Sequence, residues 1–360
     1  MMVFCSNCGI ELPEDAFFCH KCGQMTEKGK ASGMSRPEHP NQEWEREVEN
    51  ALFTAAQNIR EGLEAAGEGI REAQYGWDRH RIEEVRSYNG EVTQGKTFFD
   101  AATFNGRISV STWDKPEYNV ELLVRASGRS DEEAQRNLEE LKTHLEEQPE
   151  DDKLGLILMI DRPTERNRGY SVSLDVTLPA KAETDLRLRT SNGRISVDSL
   201  KGETLKMKTS NGRIELKDVE AKTIDCKTSN GKVLMNNVKA ENIEGRTSNG
   251  NISGEIDASD VTLSTSNGKI DLELASSTSG HYRLRSSLGS INLDVPRESD
   301  IGYDLDLHTS MSSAFIDLPD LIYSINRRNE KAAKTANYGD KERKIAIEAS
   351  TSMGKIKVRN

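Results

Sequence analysis

Two closely spaced cysteine pairs are the residues of this chain best suited to chemistry. Cys5 and Cys8 form the first pair, and Cys19 and Cys22 follow after ten intervening residues. Two thiolates separated by two residues can hold one face of a tetrahedral Zn²⁺ ion, so the two pairs together supply four ligands. Because four sulfur ligands leave no position for an activated water, the pattern predicts a structural zinc ion. A catalytic zinc ion and redox-active cysteines are the alternatives.

The segment that carries these cysteines, residues 4–23, closely resembles the short zinc-ribbon module found at the start of many bacterial proteins. The resemblance implies a zinc-ribbon domain over residues 1–24, with Zn²⁺ as a structural cofactor. The position of four of the five cysteines in this segment favours metal binding in a reducing compartment over a disulfide framework. Residues 25–40 are rich in Gly, Ser, Pro and Lys, which predicts a flexible linker.

A helical pattern begins at Asn41 and predicts an amphipathic helix over residues 41–78. Apolar residues recur there at steps of three and four: Trp44, Val48, Leu52, Ala55, Ile59, Leu63, Ala66, Ile70 and Ala73. The polar face carries mostly Glu, which anionic lipid would repel, whereas interfacial helices are usually basic. The pattern therefore favours self-association as a coiled coil, or docking on a protein partner, through residues 41–75. Binding to a membrane surface is the less favoured alternative.

The phrase Thr-Ser-Asn-Gly recurs at a nearly constant interval and predicts a repeat architecture. Its copies begin at Thr190, Thr209, Thr228, Thr247 and Thr265, at steps of 19, 19, 19 and 18 residues. Apolar and polar residues alternate on both sides of each copy, as in β-strands, and we expect Asn-Gly to form a corner with positive φ. Asn-Gly is also a hairpin signal, so an antiparallel meander is the alternative. The constant register favours a solenoid of stacked coils.

Weaker copies of the phrase extend the predicted solenoid over residues 80–360. They begin at Ser87, Thr103, Ser286, Thr309 and Thr351. Residues 113–185 interrupt the array and predict a small α+β cap, in which a helix runs from Ser130 as N-cap to Glu147. Residues 326–344 are polar and basic, which predicts a loop. Cys226 lies at an inward position and is expected in the core.

Basic residues occupy two fixed positions of the repeat. The first position directly precedes Thr and is basic in four of the five copies (Arg189, Lys208, Lys227 and Arg246) and again at Arg285 in a weak copy, and the second lies four residues after Thr and is also basic in four copies (Arg194, Arg213, Lys232 and Lys269). Stacked coils lie about 4.8 Å apart, so these residues should form two basic stripes that could bind an anionic polymer. The alternative is a solvated face balanced by Glu215, Asp225, Glu244 and Asp271.

The composition and the missing motifs exclude several classes of function. Hydrophobic residues are 34% and aromatic residues 5% of the 360, and the formal charge of −11 argues against a nucleic-acid-binding protein. Because we find neither a signal peptide nor an apolar run long enough to span a membrane, we expect a cytoplasmic protein, or one peripheral to the envelope. The absence of a nucleophile elbow, a phosphate loop and a zinc-protease helix leaves no catalytic residue to predict.

A family resemblance covers residues 80–360. The segment Val-Ser-Leu-Asp-Val-Thr-Leu-Pro at 172–179, followed by tandem Thr-Ser-Asn-Gly-Arg-Ile units, resembles the bacterial "putative adhesin" family of β-strand-repeat domains of unknown function. Relatives of that fold are right-handed parallel β-helices, so the resemblance implies the same winding here. It implies adhesion as a kind of function and brings no catalytic residues.

These observations combine into one prediction with two alternatives. We predict a mainly β protein: a single-stranded, right-handed parallel β-helix with a small α+β cap, preceded by a zinc ribbon and an amphipathic helix. Its function would be that of a non-enzymatic scaffold or interaction protein in assembly or envelope stress. The first alternative is an adhesin-like binder of an anionic glycan or lipid surface through the basic stripes. The second is a β-helix polysaccharide hydrolase or lyase with a carboxylate pair in a groove.

Overall fold

The computed structural model describes residues 3–4, 11–12, 80–161, 169–275 and 278–360. The chain divides into two compact units, Met1–Trp77 and Asp78–Asn360. In the first unit, β1 (Val3–Phe4) and β2 (Glu11–Leu12) pair antiparallel. Three predictions for this unit lie outside the described residues and stay predictions: the zinc ligands Cys5, Cys8, Cys19 and Cys22, the linker 25–40 and the helix 41–78.

A sheet of 21 strands dominates the second unit, so this unit is mainly β as predicted. Its first part contains one helix, α1 (Asp131–Glu140), and seven strands: β3 (His80–Glu91), β4 (Lys96–Ala102), β5 (Ile108–Trp113), β6 (Glu117–Gly128), β7 (Lys142–Pro149), β8 (Lys153–Asp161) and β9 (Ser171–Pro179). Its central part contains β10 (Glu183–Thr190), β11 (Ile195–Thr209), β12 (Ile214–Lys227), β13 (Val233–Thr247), β14 (Ile252–Thr265) and β15 (Ile270–Leu274). Its last part contains β16 (Gly280–Ser286), β17 (Ile291–Asp294), β18 (Ile301–Thr309), β19 (Ala314–Asp317), β20 (Leu321–Asn326), β21 (Glu330–Thr335), a 3₁₀ turn (Tyr338–Asp340), β22 (Arg343–Thr351) and β23 (Ile356–Arg359).

Consecutive copies of the repeat lie directly on one another. β11 pairs with β12 in parallel, with Ile195 beside Ile214 and Leu205 beside Ile224, and β12 pairs with β13 at the same offset. The offset equals the 19-residue period, so equivalent residues form columns across the sheet. The meander alternative is therefore wrong, because neighbouring copies of a meander would pair antiparallel.

The core follows from the alternation along each strand. Inward positions carry mostly apolar residues and are buried, as in the column of Leu188, Met207, Cys226, Gly245 and Leu263. Burial raises the pKa of the Cys226 thiol, which fits its predicted place in the core. The last interval is 18 residues because this coil has one residue fewer at its second corner. Gly254 adopts a φ of 141° there, beside a shift in the register of the strand pairing.

At the N-terminal end, the strand order differs from the chain order. β4 lies between β8 and β10, and β5 lies between β9 and β11, all in parallel. The weak copy at Thr103 thus forms a true coil. The copy expected at Ser87 does not, because β3 pairs antiparallel with β6 and passes through Gly90 without a corner.

The cap helix is shorter than predicted. Ser130 caps α1 as expected, since its Oγ accepts a hydrogen bond from the backbone N of Glu133. The helix ends at Glu140, however, and β7 begins two residues later and pairs antiparallel with β8. β7 pairs with β8 over its whole length, so strand pairing in this segment prevails over the helical propensity of its charged residues.

The C-terminal end is also interleaved. β22 and β23, the last strands of the chain, lie between β16–β17 and β18–β19. The prediction of a basic loop over residues 326–344 is wrong, because β21 lies in this segment and pairs antiparallel with both β18 and β20. The hairpin of β20 and β21 lies beside the otherwise open edge of β18, which explains why a polar segment is extended there.

Candidate functional site

The Thr-Ser-Asn-Gly corners bring the coils into their closest contact. A Cβ atom on Gly212 would lie 1.6 Å from the backbone oxygen of Gly193, and one on Gly231 would lie 1.7 Å from that of Gly212. Glycine is therefore required by the approach of two backbones. The expected positive φ at this corner is wrong: the second corner of the coil, at Ser199, Asp218 and Asn237, adopts it instead.

The threonine of each corner closes the contact. The buried Oγ1 of Thr209 donates a hydrogen bond of 3.0 Å to the backbone oxygen of Gly193 in the neighbouring coil. The same Oγ1 accepts one of 3.1 Å from the backbone N of Gly212 in its own coil. The other corners repeat this geometry: Thr228, Thr247, Thr265, Ser286 and Thr351.

The asparagine of each corner points outward and bonds to its equivalents. Nδ2 of Asn211 donates to Oδ1 of Asn192 at 2.6 Å, and Nδ2 of Asn230 donates to Oδ1 of Asn211 at the same distance. We call this column the asparagine ladder; its members are Asn105, Asn192, Asn211, Asn230, Asn249 and Asn267. The ladder keeps exposed amides at one fixed spacing.

At the C-terminal end, the ladder position becomes apolar. Leu288 follows Asn267, and backbone hydrogen bonds then place Met353 beside Leu288 and Met311 beside Met353. We call Leu288, Met353 and Met311 the apolar corner column; their exposed fractions are 51%, 54% and 75%. This column was not predicted from the sequence, although a signal is present there: the weak copies differ from the repeated phrase at its asparagine.

The structure brings the predicted basic residues together as two columns that flank the ladder. Arg189, Lys208, Lys227 and Arg246 are direct neighbours on adjacent strands and form the first basic column. The second basic column contains Arg194, Arg213, Lys232 and Lys269, with Asn251 between the two lysines. Whether either column binds a ligand stays a prediction.

Acidic neighbours neutralise part of these columns. Glu215 lies 3.7 Å from Arg194 and 3.5 Å from Arg213. Asp225 lies 2.9 Å from Lys227, and Glu244 lies 2.8 Å from Arg246. Both basic columns are thus part of a charge network over the middle coils, as the solvated-face alternative requires.

Three lysines of the columns are not neutralised in this way. Lys208, Lys232 and Lys269 have no salt bridge to any residue that the structure describes. Partial burial, and then the charges of Lys227 and Arg189 on either side, lower the pKa of Lys208. An anion placed at this position would relieve the repulsion between the three cations.

The carboxylates of the described ranges whose pKa is displaced all shift in the same direction. Six have a displaced pKa, and each is lowered chiefly by a hydrogen bond from a neighbouring side chain: Glu84, Glu132, Glu203, Asp218, Asp300 and Glu348. A carboxyl group that donates a proton in glycoside hydrolysis needs the opposite shift. Within the same ranges, no group of three or more His, Cys, Asp or Glu is placed to hold a metal ion. No helix there could cross a membrane.

Comparison with known proteins identifies the family. A family model described as Toastrack DUF4097 matches residues 107–359. The chain belongs to this family. No curated protein matches it.

Solved structures similar to this Toastrack chain are low in sequence identity. A "putative adhesin" from Parabacteroides distasonis is 13% identical, with 76% of this chain and 97% of that chain covered and a TM-score of 0.42. A "putative adhesin" from Bacteroides fragilis has the same identity and coverage and a TM-score of 0.39. A "putative lipid binding protein" from Parabacteroides distasonis is also 13% identical, with 76% and 96% covered and a TM-score of 0.33.

Proposed function

We propose that this chain is a non-enzymatic interaction protein whose repeat array serves as a rigid scaffold. The observation that carries the proposal is the corner contact, in which glycine lies on glycine and a buried threonine hydroxyl bonds to both coils. Such contacts hold exposed side chains at a spacing of about 4.8 Å, which suits an extended partner with regularly spaced groups. The proposal includes the right-handed winding that the family resemblance implies.

The first unit supplies assembly in this proposal. Cys5, Cys8, Cys19 and Cys22 would hold a structural zinc ion, and residues 41–75 would self-associate or bind a protein partner. The corresponding setting is cytoplasmic or peripheral to the envelope, in assembly or envelope stress. We expect the full chain to be oligomeric and a chain that begins at Asp78 to be monomeric by light scattering after size exclusion. The same number of chains per particle in both proteins would remove the assembly role.

The pKa shifts of the carboxylates support the non-enzymatic part of the proposal. We expect no release of reducing or unsaturated sugar ends when the full chain is incubated with a panel of neutral and acidic polysaccharides. Release from any one of them would favour the hydrolase or lyase alternative and remove the scaffold as the sole function.

A second candidate function is the binding of an anionic polymer along the basic columns. The observation that favours it is a set of three lysines that form no salt bridge with the described residues, Lys208, Lys232 and Lys269, on an otherwise acidic protein. A ligand that runs along the ladder would meet cations from successive coils, and its binding would weaken with salt.

Heparin, a sulfated glycan, is a suitable probe for this candidate. The combined variant of Lys208→Ser, Lys232→Ser and Lys269→Ser should bind heparin about tenfold more weakly or worse, because it removes the three cations of the columns that form no salt bridge with the described residues. The matched control removes three lysines whose salt bridges to Glu220, Asp198 and Glu203 lie away from the ladder: Lys201→Ser, Lys217→Ser and Lys222→Ser. An equal loss in both variants would reduce the effect to net charge and remove this candidate.

A further inference from the structure

The apolar corner column is a continuous apolar surface at a place where the rest of the array is polar. Leu288, Met353 and Met311 occupy three adjacent coils, and each is more than half exposed. Scattered surface apolar residues are ordinary, whereas contiguous ones mark interaction sites. Phe315, which is 54% exposed, lies on the same terminal coil as Met311.

Packing within the coil does not require apolar residues at these positions. The hydroxyls of Ser286, Thr351 and Thr309 donate to the backbone oxygens of glycines in neighbouring coils at 3.0 Å, as they do in the asparagine ladder. Asn therefore fits the same corner, and six other coils use it. The change to Leu and Met has to be explained by what the side chains meet outside the coil.

Cations surround this column. Arg285 and Lys355 flank it on the same coils, and the backbone oxygen of Arg328 accepts a hydrogen bond from the N of Ala314 directly beyond it. All three are exposed and have no salt bridge to the described residues. Asp306 is an acidic residue three positions before Thr309, where the corner of the Met311 coil begins.

An exposed apolar tip with cations on both sides is the arrangement by which proteins bind anionic bilayers. The apolar side chains enter the boundary between headgroups and acyl chains, while Lys and Arg attract the anionic headgroups. Met side chains are unbranched and adapt to an irregular environment, which suits contact with lipid.

We propose that the C-terminal end of the array docks on an anionic lipid bilayer through Leu288, Met353 and Met311, with Arg285 and Lys355 at the headgroups. The inference rests on the proposed interaction role of the corner face. Arg285 continues the line of the first basic column beyond Ser264, but Leu288, Met353 and Met311 lie outside both columns, so variants of these three residues let the two proposals fail separately.

Flotation of the full chain with vesicles tests the proposal. Vesicles of phosphatidylglycerol and phosphatidylcholine in equal parts should bind the chain, and vesicles of phosphatidylcholine alone should bind it about tenfold more weakly or worse. The combined variant Leu288→Asn, Met311→Asn and Met353→Asn should lose at least about tenfold in binding to the anionic vesicles. A matched control, Val85→Asn with Met159→Asn, removes exposed apolar side chains elsewhere and should bind as the parent does.

A second variant keeps the apolar residues and removes the charge. Arg285→Ser with Lys355→Ser should weaken binding to the anionic vesicles and reduce its dependence on salt. Heparin binding should be unchanged in the triple Asn variant, which separates this site from the basic columns. Equal vesicle binding by the parent and the triple Asn variant would overturn the proposal. So would a lower mass per particle of that variant without vesicles, since the column would then be a surface between copies of the chain.

Discussion

The asparagine ladder and the apolar corner column occupy the same position within successive coils of the array, yet they differ in chemistry. The contacts below them are equal: Thr209 bonds to Gly193 and Thr351 bonds to Gly289, both at 3.0 Å. The buried threonine and glycine therefore hold the coils together, whereas the third residue of the corner is free to vary. The exposed side chain of the corner can thus change from amide to apolar along the array while the hydrogen bond between neighbouring coils stays the same.

The largest expected effect comes from the contact that both regions share. Gly212→Ala places a methyl group 1.6 Å from the neighbouring backbone oxygen, so the coils must separate. We expect the free energy of unfolding to fall by about 3 kcal/mol or more. Gly95→Ala is the control, since no atom of the part of the chain that the structure describes lies within 4 Å of its added Cβ. Equal melting temperatures for the two variants would contradict the glycine contact.

The threonine hydroxyl should have the next largest effect. Thr209→Val keeps the shape of the side chain but leaves the oxygen of Gly193 and the N of Gly212 without a partner. We expect a loss of about 1–3 kcal/mol in chemical denaturation. Thr209→Ser should be close to the parent, because Ser286 makes both hydrogen bonds in its own corner. A stable Val variant would show that the hydroxyl is dispensable.

Exchange of the two corner types sharpens the comparison. Asn230→Leu removes two ladder hydrogen bonds at an exposed position and should lower the free energy of unfolding by about 1 kcal/mol. Leu288→Asn should leave stability nearly unchanged, since the side chain it removes is half exposed. If both exchanges cost the same, the ladder would contribute nothing beyond solubility.

The smallest effect is expected at Lys208. Burial and the neighbouring cations lower its pKa from 10.5, so the unfolded chain binds more protons between the lowered pKa and 10.5. The parent should therefore gain stability as the pH rises through that window. Lys208→Gln should be slightly more stable than the parent at neutral pH and should lose this part of the pH dependence. Lys201→Gln is the control for net charge; a decrease in stability at Lys208 would contradict the repulsion.

The sequence predicts the central coils well because a constant period turns spacing into register. The basic columns follow from counting in steps of 19, and even the step of 18 keeps Lys269 in place, since Gly254 absorbs the missing residue at the other corner. The sequence shows a glycine at the first corner in all five copies of the phrase, but it does not show the reason, because a positive φ and a close approach of two backbones both select glycine.

The ends of the array could not be predicted in the same way. The last two strands insert between strands that precede them in the chain, an order that local patterns do not encode. The apolar corner column depends on this insertion, because Met353 comes to lie between Leu288 and Met311 although it follows both in the sequence. The proposed lipid surface therefore exists only because the last two strands lie between earlier ones.

The central claim is that the coil of Met353 lies between the coils of Leu288 and Met311. Disulfide formation tests this order most directly. Ser287 and Ser352 are exposed neighbours on adjacent coils, while Ser310 lies one coil further. Adjacent coils are about 4.8 Å apart, within the range of a disulfide, and the next coil lies beyond it. Ser287→Cys with Ser352→Cys should cross-link rapidly in peptide mapping, and Ser287→Cys with Ser310→Cys should not. The reverse result would show coils in chain order and contradict the account.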